Sequence, residues 1–425
     1  MTPVPIRSAL RAVTASLLGA SAAHAGSPAR TESSLLFYKE RERTSATEFT
    51  FNYAKDVSDK LIFNARLTYD GLTGATPTGA SPSKYPQTIT RASGGTIVDV
   101  PAGAYPVDEN FTDTRFALEA GLERAMGRLS TVKLGARWSG EHDYKSLGIS
   151  GGATREFNGR NTALGVTVAY SSDRVEPVGG VYPAFWEVGA DLNETEAERR
   201  ARFAAHHKGV IDLGLSIAQV INRETLVRVN WSASRSAGYL TDPYKITSVV
   251  QPVDSADPGE PVTALYENRP ADRQQQAVMG QLKRHFAGTS ADLAYRFFWD
   301  DWGVRAHSVD VLWHVDFNRE GMFTPHVRWY RQSQAGFYAP FLLQGDPLPA
   351  YASADSRLSN FDAWTFGLNY SIPVRARARL SFGMEYYLQR GDNSPPEGLN
   401  TSLPYELFPA LDVVMVRVGY AVGIF

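Results

Sequence analysis

Residues 308–317 read SVDVLWHVDF, and apolar and polar side chains alternate along this stretch. The odd positions carry Val309, Val311, Trp313, Val315 and Phe317. The even positions carry Ser308, Asp310, His314 and Asp316, with Leu312 as the one apolar member. A pleated strand directs successive side chains to opposite faces, so this period of two predicts a β-strand with one apolar and one polar face.

The same alternation recurs along the chain and makes sixteen candidate strands. They lie near residues 33–40, 46–56, 60–70, 113–124, 129–140, 144–157, 162–173, 208–221, 225–235, 273–286, 290–300, 304–317, 323–333, 361–372, 378–390 and 411–425. Each run has about ten residues, which is long for a soluble protein but fits a tilted strand that crosses a bilayer.

The connections between these strands alternate between two classes. Short ones, such as residues 125–127 and 158–161, contain the Asn and Gly residues that tolerate positive φ angles in tight turns. The long ones are residues 71–112, 174–207, 236–272, 334–360 and 391–410, and three brief connections fall on the same side. Short periplasmic turns and long extracellular loops are typical of outer-membrane barrels. The sequence therefore predicts an all-β, transmembrane, antiparallel up-and-down β-barrel of sixteen strands.

Composition excludes several other classes of protein. The chain has 425 residues, with 43 Lys plus Arg against 45 Asp plus Glu, which is too balanced for a nucleic-acid binder that neutralises phosphates. Cysteine is absent from the sequence, which excludes disulfides, thiol catalysis and cysteine-ligated metals. After residue 25 no apolar run approaches the ~18 residues of a transmembrane helix.

The first 25 residues have the features of a secretory signal peptide. Arg7 and Arg11 supply positive charge, a short apolar stretch follows, and Ala23-His24-Ala25 fits a small-x-small cleavage site. The alternative is a short N-terminal helix that stays attached. We expect residues 1–25 to be removed on export, and residues 26–425 to form a single barrel domain in the bacterial outer membrane.

Aromatic residues gather at the ends of the predicted strands. The extracellular ends carry Tyr69, Trp138, Tyr170, Trp231, Trp299, Tyr330 and Tyr387. The periplasmic ends carry Phe157, Phe286, Phe317 and Phe323. This placement predicts two girdles at the lipid headgroups, whereas the alternative is that the rings fill a soluble core.

Charged residues on the polar faces are expected to line the lumen, since a charge against lipid costs about 2–4 kcal/mol at the bilayer midplane. The residues concerned are Arg66, Asp212, Arg228, Arg296, Asp310, His314, Asp316, Arg328, Arg379 and Glu385. Two roles stay open for them: a simple wetted wall, or an arginine cluster that selects solutes.

Several segments resemble a bacterial family defined as domain of unknown function 3570. They include DGLTGA at 70–75, DRVEPVGG at 173–180, GYLTDPYKI at 238–246, WDDWG at 299–303 and PAYASAD at 349–355. The resemblance covers nearly the whole chain after residue 25 and implies a secreted, outer-membrane-like protein. The family has no established activity, so the resemblance implies no functional residues.

The sharpest candidate site combines Asp300, Asp301 and Trp302 with His307. Two carboxylates at an outer strand junction could hold Ca²⁺ or a sugar, with Trp302 as a stacking platform. The alternative is a charged hairpin tip with a girdle tryptophan.

Weaker candidates also lie on the outer loops. Glu141-His142-Asp143 could bind a divalent metal or serve a hydrolase, but adjacent loop residues rarely all face one ligand, so a solvated loop tip is the favoured interpretation. His206-His207 is a weaker metal candidate, because successive strand residues point apart. Residues 192–203 are expected to form a short helix that acts as a lid or plug. A catalytic site around His314 would need a residue from a neighbouring strand.

Three functions remain open from the sequence. The first is a porin-like channel or transport barrel, and the second is a binding or structural barrel whose loops recognise a ligand or partner. The third is an outer-membrane barrel hydrolase. The expected partners are outer-membrane lipid, the barrel-assembly machinery and small solutes, with no nucleic acid, no cofactor and no resident metal.

Overall fold

The computed structural model describes residues 29–41, 43–90, 97–190, 195–317, 321–375, 377–391 and 407–423. Its strands are β1 (Arg30–Glu40), β2 (Ser45–Ser58), β3 (Leu61–Pro77), β4 (Gln87–Thr90), β5 (Ile97–Val100), β6 (Val107–Met126), β7 (Ser130–Gly140), β8 (Tyr144–Phe157), β9 (Thr162–Val175), β10 (His206–Asn222), β11 (Thr225–Gly238), β12 (Ile246–Val250), β13 (Pro261–Tyr266), β14 (Asp272–Phe286), β15 (Thr289–Asp300), β16 (Arg305–Asp316), β17 (Met322–Gln332), β18 (Leu342–Leu343), β19 (Phe361–Arg375), β20 (Ala378–Gly391) and β21 (Leu411–Val422). One helix, α1, spans Glu196–Arg202.

Sixteen of these strands close into one antiparallel barrel in the order β1-β2-β3-β6-β7-β8-β9-β10-β11-β14-β15-β16-β17-β19-β20-β21. The barrel closes where β1 pairs with β21, from Thr31 opposite Val422 to Glu40 opposite Val413. Every predicted run overlaps one barrel strand, so the predicted fold class is confirmed. Closure gives each strand a hydrogen-bonding neighbour on both sides, which a sheet in lipid requires.

Alternate residues on the barrel strands are exposed apolar side chains. Leu134 and Ile149, on β7 and β8, are 63% and 64% exposed, and Met384 on β20 is 56% exposed. Their sequence neighbours point to the opposite face, because strand side chains alternate. The outside of the barrel is therefore an apolar surface. Within the described ranges, no helix has the length and apolarity needed to cross a bilayer.

The short connections are tight, as their sequences predict. Gly127, in the turn between β6 and β7, has a φ of 77°. Between β8 and β9, Asn158, Gly159 and Arg160 all have positive φ angles. A residue without a Cβ, or an asparagine, adopts this left-handed conformation at low energy, which explains why these residue types mark the turns.

The long loops fold together into a structure that we call the cap, comprising residues 78–90, 97–106, 176–190, 195–205, 239–271, 333–360 and 407–408. Within it β13, β12 and β18 form a three-stranded sheet, β4 pairs with β5, and Ile246 and Val250 are fully buried. The loops contact one another directly: the Ile246 amide donates to the Thr78 carbonyl (3.0 Å), and Val249 pairs with Leu342.

Helix α1 lies within the segment 192–203, for which the sequence predicted a helix. It is shorter than predicted, and it begins with a capping box. The Thr195 hydroxyl accepts from the Glu198 amide (3.3 Å), and the Thr195 amide donates to the Glu198 carboxylate (2.8 Å). Residues 192–194, the predicted signal peptide at 1–25 and Phe425 lie outside the described residues.

The cap reaches down onto the inner face of the barrel. Phe408 is fully buried against Phe361 and Ala363, with Tyr330 and Tyr387 packed around them. The strand alternation places both tyrosines on the inner face, so their assignment to the extracellular girdle was wrong. The prediction failed because an aromatic residue at the end of a strand can lie on either face of the sheet. The sequence does not show which of these residues the cap contacts.

Candidate functional site

Eight of the ten charged residues predicted to line the lumen, all except Arg66 and Arg379, have an exposed apolar neighbour on the opposite face. Asp212 follows Ile211, which is 55% exposed, and Arg228 precedes Val229, which is 42% exposed. The same alternation applies to Arg328 and Asp316. Others make inner-face contacts: Arg66 donates to Asn52 (2.6 Å), Arg379 donates to Ser371 (3.3 Å), and the Arg296 guanidinium lies 5.3 Å from the Phe298 ring centre.

One inner-wall network joins three barrel strands. The Nε2 atom of His326 on β17 lies 3.3 Å from Asp310 Oδ2 on β16, and its Nδ1 atom lies 3.0 Å from Glu385 Oε1 on β20. Strand β19 runs between β17 and β20, and its Gly367 is paired with both His326 and Glu385. A Cβ atom on Gly367 would lie 3.0 Å from Glu385 Cγ, so the glycine leaves the space through which the carboxylate reaches the imidazole.

A second network lies beside the first. His314 Nε2 on β16 lies 3.1 Å from Asp292 Oδ2 on β15, and Lys283 Nζ on β14 donates to the same oxygen (3.1 Å). On its other side, His314 Nδ1 lies 3.1 Å from Thr324 Oγ1. The resulting hydroxyl–imidazole–carboxylate line resembles a hydrolase arrangement, but Thr324 is only 6% exposed and offers a substrate no approach.

Sequence analysis did not identify His326, Asp292, Lys283 or Gly367. The alternation along 323–333 does carry a signal for His326, because it puts this residue on the same face as Arg328. Pairing a histidine with acids on other strands requires the register, which the local pattern does not contain.

The carboxylates of the Asp300-Asp301-Trp302 hairpin make hydrogen bonds within the protein. Asp300 accepts hydrogen bonds from Arg273 Nε and the Val304 amide, both at 2.8 Å. Asp301 accepts from the Gln274 amide (2.9 Å). The carboxylates therefore brace β14 against β15 instead of facing a ligand.

Trp302 and His307 do not form a common binding site with the two aspartates. Trp302 is 6% exposed, donates to the Asp272 carbonyl (2.9 Å) and lies beneath the Arg273 guanidinium, so its ring is not a surface platform. His307 points to the outer face, where it lies 2.7 Å from the Tyr295 hydroxyl and packs on Phe297. The residues expected to form one site therefore lie on opposite faces of the barrel sheet.

The paired histidines are divided in the same way. His206 and His207 begin β10 opposite Val175 and Arg174, and consecutive strand residues point to opposite faces. His206 packs on the Tyr239 ring at 4.9 Å. The structure does not bring the two imidazoles to one ligand.

A buried ionic network holds the cap together. Three carboxylates and three cations from two loops meet, namely Asp242, Glu267, Asp355, Lys245, Arg269 and Arg357. Arg357 Nη2 donates to Asp242 (2.7 Å) and also to Asp355, while Arg269 Nη2 donates to Asp355 (2.8 Å). Burial by itself would raise the pKa of Asp355, but Arg357 and Arg269 outweigh it and hold that pKa well below its ordinary value.

An acidic cluster lies at the extracellular rim, where Glu141 and Asp143 belong to the short connection between β7 and β8. Ligand oxygens of Glu141, Asp143 and Asp113 on β6 all lie within 4.8 Å of one another. Burial, followed by the charge of Asp113, raises the pKa of Glu141 to about 7. Sequence analysis found the first two residues, and the pairing of β6 with β7 supplies the third.

The sequence model of a protein family, described as "Protein of unknown function (DUF3570)", matches residues 7–422. The chain belongs to the DUF3570 family. This confirms the resemblance over nearly the whole chain. Comparison with curated proteins found no match to this DUF3570 protein.

Solved structures similar to this DUF3570 protein come from outer-membrane proteins. One is a mutant ferric enterobactin receptor, PfeA, from Pseudomonas aeruginosa, at 10% identity and a TM-score of 0.45, covering 93% of this chain and 60% of the receptor. A bacterial polysaccharide outer membrane secretin has 8% identity and a TM-score of 0.46, covering 94% and 99%. The siderophore receptor PirA from Acinetobacter baumannii has 11% identity and a TM-score of 0.42, covering 87% and 54%.

This DUF3570 protein therefore spans between half and two thirds of the length of the siderophore receptors that it matches. At such identities and TM-scores, the likeness carries no inference about activity.

Proposed function

We propose that this DUF3570 protein is an outer-membrane channel for small hydrophilic solutes, whose extracellular mouth is narrowed by the cap. The observation that carries the proposal is the inner wall, where ionisable side chains join neighbouring strands in hydrogen-bonded networks. Asp310, His326 and Glu385 form one network, and Lys283, Asp292 and His314 form the other.

These networks favour a lumen that contains water. An ionised side chain is strongly destabilised in a dry apolar interior unless it is fully paired. The Lys283 side chain is 50% exposed, and those of Asp310 and Glu385 are 32% and 31% exposed. Groups of this exposure inside a barrel of sixteen strands fit a solvated passage better than a packed core.

The position of the cap favours a channel whose extracellular opening is narrow. Its loops pack inward on Phe361 and Ala363 of the barrel wall, and its buried ionic network joins residues 239–271 to 333–360. A constriction with a fixed structure limits the size of solutes that pass and gives a low conductance.

Single-channel recording in planar bilayers tests this proposal. We expect wild-type protein to show small, steady conductance steps, and Arg357→Ala to show larger or fluctuating ones, because the substitution removes the ion pairs that Arg357 makes with Asp242 and Asp355 inside a buried network. The matched control is Arg235→Ala, since Arg235 forms an exposed rim ion pair with Asp272 (3.2 Å) and should leave conductance unchanged. A folded wild-type barrel that never conducts would overturn the proposal.

Export by a cleaved signal peptide and insertion by the barrel-assembly machinery belong to the same proposal. We expect the mature protein to be recovered from the outer membrane with its N-terminus near Gly26. Membrane fractionation followed by N-terminal sequencing checks both points. Recovery in the inner membrane with residues 1–25 intact would contradict them.

A second candidate function is ligand binding by the cap. It is favoured by a cavity of about 180 Å³ that is lined by Tyr182, Tyr239, Leu240, Thr241, Glu267 and Arg269. This volume is below the ~300–1,000 Å³ of drug-sized sites and would fit only a small polar molecule. A binding barrel should remain silent in planar bilayers even after Arg357→Ala, which separates it from the channel.

A further inference from the structure

Among the described residues, the rim cluster of Asp113, Glu141 and Asp143 has more carboxylates around it than cations. Glu48 and Asp70 lie beside it, and Arg115 is the cation that the described residues place among these acids. Arg115 is committed to Asp70, to which its Nε donates at 3.0 Å and its Nη2 donates a second bond. Five carboxylates therefore share one guanidinium.

The Glu141 carboxylate and one carboxylate oxygen of Asp113 lack a hydrogen-bond donor among the described residues. The Glu141 side chain is 6% exposed, and its carboxylate makes no hydrogen bond within the described residues. Among the described residues, the cationic atom that pairs with Glu141 is Arg115 Nε, at 3.9 Å. Asp113 Oδ1 is also fully buried and has no partner within those residues. Native proteins leave few such groups unsatisfied, so these oxygens point to an additional cation between them.

We propose that Asp113, Glu141 and Asp143 form a Ca²⁺ site at the extracellular rim. Two oxygens bound to one Ca²⁺ at about 2.4 Å lie at most about 4.8 Å apart, and the ligand oxygens of the three residues meet that limit. The donors are carboxylate oxygens, which suit Ca²⁺ better than the nitrogen- and sulfur-preferring metals. Water supplies the remaining ligands, since Ca²⁺ takes six to eight.

The bound ion would link the barrel to the cap. Asp143 Oδ2 also accepts a hydrogen bond from the hydroxyl of Tyr244, a cap residue (2.7 Å). An ion held by Asp113 and Glu141 fixes the Asp143 carboxylate, and through it the position of Tyr244. Calcium binding would thus stabilise the cap against the β6, β7 and β8 end of the barrel.

Calcium titration of the purified full-length barrel, stripped with EDTA, tests the site directly. We expect isothermal titration to give one Ca²⁺ per chain with a Kd on the order of 10⁻⁴–10⁻³ M, the range of extracellular calcium modules. The unfolding temperature, followed by the gel shift of folded against unfolded barrel, should rise on adding CaCl₂. Absence of calcium uptake by the wild-type barrel overturns the proposal, whatever the variants do.

Variants locate the site within the rim. Asp113→Asn and Glu141→Gln keep the shape of each side chain and remove its charge, and each should weaken calcium binding roughly tenfold or more. The matched control is Glu176→Gln, because Glu176 is a half-buried rim acid already paired with Arg174 (2.5 Å). If both cluster variants bind calcium as tightly as wild type, the assignment to these residues is wrong.

Discussion

At the scale of single residues, the inner wall depends on small side chains as much as on charged ones. Glu385 contacts His326 from two strands away, across β19, and it does so over Gly367. Any side chain at this position would occupy the space between the two. The glycine is therefore required by a close approach of side chains and not by its own backbone conformation.

Gly367→Ala should destabilise the barrel by about 1–3 kcal/mol, the range for overpacking, because its Cβ would lie 3.0 Å from Glu385 Cγ and 3.1 Å from His326 Cβ. Urea unfolding in detergent or lipid measures the change. Gly280→Ala is the control, since a Cβ there meets nothing within 4 Å. Equal stability of the two variants would mean that the Glu385–His326 contact does not constrain this part of the wall.

At the scale of elements, the extracellular loops behave as one folded unit. The length of the connections distinguishes the long loops from the tight turns, but it does not indicate that β12, β13 and β18 pair into a sheet. The stability of the cap rests on charges as well as apolar contacts, because Asp355 is buried between Arg357 and Arg269.

The cap should remain closed in mild acid. A carboxylate whose folded pKa lies below its unfolded value adds stability above the unfolded value and loses it only as the pH falls through the folded one. Since the pKa of Asp355 is held well below its ordinary value, protonation should not release the network between pH 7 and about pH 5. Limited proteolysis of the loops with an acid-tolerant protease measures this, and cleavage within 333–360 that begins near pH 5 would contradict it.

At the scale of the whole molecule, the barrel wall has an apolar outer face and a polar inner face. Val168 on β9 is 51% exposed on the apolar outside, and Thr167, one residue earlier, faces the lumen. The chemistry of each face follows from its solvent, which is lipid outside and water inside. This arrangement is what permits charges such as Asp310 to occur in the middle of a membrane strand.

Val168→Arg should reduce folding into lipid vesicles, because an arginine on the lipid face costs about 2–4 kcal/mol near the midplane. The neighbouring Thr167→Arg is the control and should fold nearly as well as wild type, since its charge enters the lumen. The fraction of heat-modifiable, folded protein measures both. Equal loss in the two variants would show that the faces are not as distinct as the alternation implies.

The strands, their turns and the closed barrel could be predicted from the amino-acid sequence, because alternation with a period of two and turn chemistry are local properties. It also indicated Glu141 and Asp143, which are neighbours in the chain. The folded structure was needed to show that Asp113 joins them, that His326 lies between Asp310 and Glu385, and that Tyr330 and Tyr387 face inward under the cap. These contacts join residues far apart in the chain, and strand register and loop packing, which no local pattern contains, set them.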